Sequence, residues 1–204
     1  MKYTVSLTGS TGNMGLETLK QLMEIEDIEL VKVLVRKESK KAGDKFKKQY
    51  GKRVEIVTGY LDKKEDCEKL IKGSHYVLNL AAVIPPNSDK YPKLAHLTNF
   101  VGVKNIVDIL EEMPKDKRPK LVHISTVALY GNRNEKHPWG RVGDPLLISP
   151  YDAYSFSKLK GERYVLDSSL ENRAIIRQTA MLHNRMLTDN MSDGLMFHTC
   201  YNAP

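Results

Sequence analysis

"LTGSTGNMG", Leu7 to Gly15, places glycines at 9, 12 and 15, close behind the apolar run that opens at Tyr3. Glycine in an element interior costs backbone entropy and gives up packing. Three of them at the first bend make sense where backbone turns sharply and lies against another group, and a phosphate fits best. Tyr3 to Thr8 alternates and is β-rich, so it reads as a strand. Leu16 to Ile25 reads as a helix, with Leu16, Leu19, Leu22 and Met23 on one face. A strand, a glycine turn and a helix form the opening of a dinucleotide-binding unit. In that unit the pyrophosphate sits at the helix N-terminus, where free N–H groups and the helix dipole favour an anion. Gly9 then permits the turn, Gly12 lets backbone approach phosphate, and Gly15 lets helix and strand pack closely.

Further strands are expected over Glu29–Val35, Arg53–Gly59, His75–Ala82, Pro119–Thr126 and Arg173–Gln178. Helices are expected over Asp62–Ile71, about Pro92–Met113 and about Tyr151–Ser168, with a Pro-Pro break at 85–86 and a loop from Tyr130 to Pro150. Alternating strand and helix imply an α/β doubly wound parallel sheet, covered on both faces and joined by right-handed crossovers. Residues 1–180 read as one dinucleotide-binding (Rossmann) domain. Residues 181–204 lack clear periodicity and read as the start of a truncated substrate-binding region.

The 204 residues are 41% hydrophobic and 28% charged, an ordinary globular balance. No apolar run is long enough for a membrane span, and a strand beginning at Tyr3 leaves no room for a signal peptide. Cys67 and Cys200 read as two reduced thiols, which suits a cytoplasmic setting. The net charge of +7 is concentrated: Arg36–Arg53 holds nine Lys or Arg against two acids, and the remainder is balanced. That run has only Phe46 and Tyr50 for stacking, so a solvated loop and helix face is favoured over a nucleic-acid surface. His123 alternates within its strand and reads as a core or cofactor-side residue. His75, His96, His137, His183 and His198 lack ligand spacing, so no metal is expected. Met181, Met186, Met191 and Met196 read as packing for the missing region.

At the end of strand two, an acid would bind the adenine ribose hydroxyls of NAD, whereas a basic residue suits the 2′-phosphate of NADP. "VLVRKES" puts Arg36 and Lys37 there, with Glu38 behind them. The planar Arg fork matches phosphate, so NADP is expected, with NAD as the alternative. In "PYDAYSFSKLKGE", Tyr154 and Lys158 are four apart on one helical face. A neighbouring ammonium is expected to lower the phenol pKa from ~10. Tyr151 is a rival for the hydroxyl role. Ser125 and Thr126 end strand five, facing the crevice where ligands bind in such sheets.

Together these pieces resemble the extended short-chain dehydrogenase/reductase family, the NAD(P)-dependent epimerases, dehydratases and reductases, over roughly residues 3–185. The family's T-G-x-x-G-x-x-G stands at Thr8–Gly15, its L-A-A at Leu80, Ala81 and Ala82, and its N-x-x-G-x-x-N at Asn99, Gly102 and Asn105. Its S-[ST]-x-x-x-Y-G is Ser125, Thr126, Tyr130 and Gly131, and its Y-x-x-x-K is Tyr154 and Lys158. The resemblance implies a catalytic set of Thr126, Tyr154 and Lys158. Thr126 would polarise a carbonyl, Tyr154 would exchange its proton, and Lys158 would bind the nicotinamide ribose and lower the tyrosine's pKa. It implies a cofactor site of Gly9, Thr11, Gly12, Asn13, Met14, Gly15, Arg36, Lys37, Leu61, Asp62, Leu80, Ala81, Ala82 and Asn99, shared with Tyr154 and Lys158.

The sequence departs from that pattern in three places. Tyr60 replaces the first acid after strand three, and Asp62 is one place off the second. Arg177-Gln178 stands where the family has Arg-Pro. Val127 and Ala128 stand where 4,6-dehydratases carry Asp-Glu, and neither can move a proton. The basic "VLVRKES" is more similar to the dihydroflavonol-reductase-like branch. The implied function is therefore NADP-dependent reduction of a ketone or aldehyde. The alternatives are an NAD-dependent sugar-nucleotide epimerase and a non-catalytic NADP-binding or sensor protein. The implied partners are a small carbonyl or sugar-nucleotide substrate, and a homodimer through the 92–113 and 151–168 helices would fit the resemblance.

Overall fold

A computed structural model of the chain describes residues 2–131, 136, 140–149 and 151–178. The expectations for His137, His183, His198, Cys200, the four methionines and the 181–204 region lie outside these residues. The strands are β1 (Tyr3–Thr8), β2 (Ile28–Val35), β3 (Val54–Thr58), β4 (Tyr76–Asn79), β5 (Lys120–Thr126) and β6 (Arg173–Gln178). The helices are α1 (Asn13–Glu24), α2 (Lys40–Tyr50), α3 (Lys64–Ile71), the short α4 (Asn87–Lys90), α5 (Pro92–His96), α6 (Gly102–Glu112) and α7 (Ala153–Asp167). A π-helical turn over Leu97–Val101 joins α5 to α6, so the helix expected over 92–113 is one helical run with a wide turn inside it.

All strand pairs are parallel, in the order β3-β2-β1-β4-β5-β6. Two apolar clusters cover the sheet. Val5, Leu7, Leu19, Val31, Val33, Phe46 and Val54 pack on one side with α1 and α2. Cys67, Leu70, Val77, Val103, Ile106, Leu110, Leu121 and Val165 pack on the other with α3, α6 and α7. β2 is buried over most of its length, as a strand covered on both faces should be. The strand order reverses between β1 and β4, and the crevice beyond their carboxyl ends is where such sheets bind ligands.

Four local readings sharpen or change. The helix face expected within the basic run takes definite bounds as α2, which buries Gly43 and Phe46 and packs Ala42 and Tyr50 against the same cluster. Strand four ends at Asn79, not Ala82, because the Leu80 and Ala81 N–H groups donate to Thr8 Oγ1 (3.1 Å each) and leave the ladder. Leu16 is 45% exposed: the inward position of the first turn belongs to Gly15, and Leu16 beside it turns outward. α7 starts at Ala153 because the Asp152 carboxylate caps it, accepting from the Ser155 N–H at 2.9 Å. Tyr151 is then 95% exposed outside the helix and no longer rivals Tyr154.

Candidate active site and cofactor cleft

Each glycine of the first turn answers to a different neighbour. Gly9 has φ +73°, and a Cβ there would lie 2.8 Å from the Ala81 nitrogen. The turn after β1 thus presses on the backbone after β4. A Cβ on Gly15 would overlap the Gly9 carbonyl. Gly12 differs: its nearest neighbour would be Gly9 O at 3.5 Å, so it borders open space. Gly12 also caps α1 without a side chain. The N–H groups of Asn13, Met14 and Gly15 have no intrahelical acceptor by helix geometry. This cradle fits a pyrophosphate. Thr11, Gly12 and Asn13 are exposed at its rim and Met14 is half-buried.

Beneath it runs a polar row across three strands. Thr8, Asn79 and His123 are register partners on β1, β4 and β5. Thr8 Oγ1 accepts from two backbone N–H groups, so its own proton goes to Asn79 Oδ1 (2.7 Å). Asn79 Nδ2 is left to donate to His123 Nδ1 at 3.1 Å. The imidazole must then carry its hydrogen on Nε2. Burial and the Lys158 charge push His123 well below the usual histidine range, so it is neutral. The row binds the Leu80–Ala81 backbone to the turn that faces it.

Past the end of β2, Arg36, Lys37 and Glu38 are exposed. The Tyr60 hydroxyl donates to Glu38 Oε1 at 2.6 Å, and Asp66 accepts from the Tyr60 N–H at 3.1 Å. Asp62 is half-buried in the turn before α3, 3.9 Å from Lys63. Leu61 is internal. Its side chain is 7% exposed inside the core, while its carbonyl accepts from Asn105 Nδ2 (2.8 Å) and Cys67 Sγ (3.3 Å).

Asn99 is also internal. The π-helical turn aims its amide at the segment after Ala82: Oδ1 accepts from Val83 N–H at 2.7 Å, and Nδ2 donates to Val83 O (2.9 Å) and Ser157 Oγ (3.0 Å). With 0% exposure, it ties Leu80–Val83 to α7 and holds the cleft wall in place from behind.

Thr126, Tyr154 and Lys158 come together at the ends of β5 and α7. The Tyr154 phenol lies close enough to the Thr126 side chain to feel its hydroxyl, and Thr126 Oγ1 accepts from Ala128 N–H at 3.2 Å. Lys158 is 2% exposed and donates to Ile124 O at 2.5 Å. Burial pulls its ammonium down to about 8, opposed by the Glu162 carboxylate. The expected lowering of the tyrosine is not found. Burial pushes Tyr154 up, the Thr126 hydroxyl opposes it, and Asp152 adds to the rise. Lys158 is engaged with a strand carbonyl, and desolvation dominates at the phenol.

Sequence reading missed a second buried cluster. Glu162 lies one turn after Lys158, 1% exposed. Its carboxylate accepts from Ser125 Oγ (2.5 Å), Arg177 Nη2 (2.5 Å) and Arg177 Nε (3.1 Å), and Arg177 Nη1 donates to the Tyr130 hydroxyl at 2.6 Å. Only the identity of Arg177 in the unusual Arg-Gln dipeptide could have hinted at it. Among the described residues, no group of His, Cys, Asp or Glu could hold a metal ion, and no helix is long and apolar enough to cross a membrane.

Residues 5–181 match the model of the NAD dependent epimerase/dehydratase family. A curated relative, mouse 3 beta-hydroxysteroid dehydrogenase type 7, is 25% identical over 177 residues, covering 80% of this chain and 44% of its own length. Among solved structures, the UDP-Glc/GlcNAc 4-epimerase of Campylobacter jejuni superposes with a TM-score of 0.71 at 21% identity, over 94% of this chain and 59% of that one. The Bordetella bronchiseptica enzyme WbmH, solved in complex with NAD+, gives 0.69 at 23% identity, over 88% and 57%. At such identities the two structures speak for the fold. The chain thus spans about half the length of the proteins it matches. With the family model matched along most of the chain and the glycine cradle at the switch point of the sheet, this chain belongs to the NAD-dependent epimerase/dehydratase family, within the extended short-chain dehydrogenases/reductases.

Proposed function

We propose that this chain is the cofactor-binding part of an NADP-dependent reductase acting on a ketone or aldehyde. The observation that carries the reading is the convergence of Thr126, Tyr154 and Lys158 at the mouth of the cleft. Bound there, a nicotinamide supplies the hydride. The Thr126 hydroxyl holds the substrate oxygen. Tyr154 donates its proton to that oxygen. A phenol of ordinary pKa ~10 is already protonated at neutral pH, the form that a general acid for reduction requires; burial pushes Tyr154 further up, and positive charge from Lys158 and a bound cofactor would act against that rise. Lys158 reaches for the nicotinamide ribose. Arg36 and Lys37, exposed beyond β2, take the 2′-phosphate, while the α1 N-terminus takes the pyrophosphate. Asn99 acts as a positioning residue behind the Leu80–Ala82 wall.

An NAD-dependent sugar-nucleotide epimerase is the second reading. Glu38, fixed by Tyr60 near the same ribose position, is the observation in its favour. Titration with NADPH and with NADH, followed by nicotinamide fluorescence, separates the two. The reductase reading expects NADPH preference that collapses in Arg36→Asp. Equal or NADH-favoured binding brings the epimerase forward, and no binding to either removes both.

A further inference from the structure

Burying a carboxylate costs several kcal/mol, and a buried ion pair gains little stability over apolar residues of the same size. Glu162 and Arg177 make such a pair, with side chains 2% and 15% exposed. Its effect therefore lies in what it fixes in place. Ser125, held by Glu162 at 2.5 Å, is the residue before Thr126. Tyr130, held by Arg177 at 2.6 Å, closes the short turn that follows Thr126. The Arg177 guanidinium also stacks over the Tyr130 ring, 5.0 Å from its centroid. Glu162 itself is one turn along α7 from Lys158. Ser125 and Arg177 are register partners across β5 and β6. One pair thus fastens the edge strand, both flanks of Thr126 and the helix that carries Tyr154 and Lys158.

We propose that Glu162 and Arg177 are positioning residues for the catalytic side of the cleft, holding Thr126 and Lys158 where they meet the nicotinamide half of the cofactor. The inference rests on the proposed cofactor reading. The carboxylate has a second effect in the same direction: it opposes the burial that would strip Lys158 of its proton. The adenine half lies at the far end of the sheet, on elements the pair does not touch. Its binding is independent of the pair.

The test compares a whole cofactor with half of one. Glu162→Met/Arg177→Met replaces the pair by apolar chains, an exchange that buried pairs tolerate. Wild type and variant are titrated with NADPH and with 2′,5′-ADP, which lacks the nicotinamide. The expected result is a cooperatively melting variant whose NADPH affinity falls about tenfold, as loss of one charge-assisted bond would give, with 2′,5′-ADP affinity unchanged. Unchanged NADPH affinity overturns the inference. So does an equal fall for both ligands, which would make the pair a support of the whole fold. If the double variant does not fold, Tyr130→Phe and Ser125→Ala each remove one tether and carry the same comparison. Wild-type chain that binds 2′,5′-ADP and not NADPH overturns this inference alone. Wild-type chain that binds neither overturns the cofactor reading and this inference with it.

Discussion

Gly15 lies against the turn at Gly9 so closely that a Cβ on Gly15 would come within 2.6 Å of the Gly9 carbonyl carbon. The start of α1 cannot sit over the turn unless position 15 lacks a side chain. Gly12 is open by comparison. The two glycines should therefore fail differently. Gly15→Ala overpacks backbone against backbone and is expected to destabilise the fold by about 1–3 kcal/mol, seen as a lower urea midpoint. Gly12→Ala should lose no more than about 1 kcal/mol, the cost of alanine at a helix N-cap, yet lose NADPH affinity, because its methyl enters the phosphate space. A Gly12→Ala chain that binds NADPH as well as wild type would move the pyrophosphate elsewhere.

Lys158 is a buried ammonium drawn from its usual 10.5 to about 8. Between those values the unfolded chain binds more protons at this site than the folded one. Stability from this group therefore rises as pH climbs from about 8 toward 10.5, and below about 8 the folded state carries the full cost of a buried charge. Lys158→Met removes that dependence. The variant should be the more stable chain at pH 7, with the gap closing as pH rises past 8. Urea denaturation of both proteins from pH 7 to 9.5 measures it, and a gap that stays constant refutes the assignment.

Asn99 spends both ends of its amide on the protein, at Val83 and Ser157. Asn99→Asp keeps the acceptor but loses both donors and buries a charge, and Asn99→Ala leaves the Val83 peptide without partners. Each is expected to cost about 1–3 kcal/mol for every polar group left unsatisfied. Chemical denaturation reads the loss. If Asn99→Ala is as stable as wild type, the amide is not what holds Val83 to α7.

Much of this architecture was legible because it is local. The β1 strand, the glycine spacing and the Tyr154–Lys158 pair each lie within one element and its turn. The alternation of strand and helix was enough for the parallel sheet. For α2 a helix face was legible but its bounds were not: it fully buries only Gly43 and Phe46, and its charge pattern marks no start or stop. The end of β4 was misread because apolar character continues through Ala82, while a hydroxyl on another strand takes the N–H groups. The Thr8–Asn79–His123 row needs the strand order before its members become neighbours. The Glu162–Arg177 pair needs the return of β6 beside β5. The pKa of Tyr154 was misjudged for a related reason: helical spacing gives proximity to Lys158, but not the burial that outweighs it.

Cys67 offers a last test, of the Leu61–Asp62 turn before α3. Burial and the surrounding acids push its thiol up to about 12, and its Sγ donates to the Leu61 carbonyl at 3.3 Å. Only a thiolate alkylates readily, so a shielded thiol of this kind should resist iodoacetamide at pH 8. Site-resolved mass spectrometry of the native protein should find Cys67 unmodified, and modification should appear in urea as the chain unfolds. The Leu61 carbonyl has a second donor, Asn105 Nδ2 at 2.8 Å. Asn105→Ala should therefore loosen the Leu61–Asp62 turn and speed labelling of Cys67 in the native state. Rapid labelling of the wild-type thiol without denaturant would mean that this turn opens far more readily than its hydrogen bonds imply.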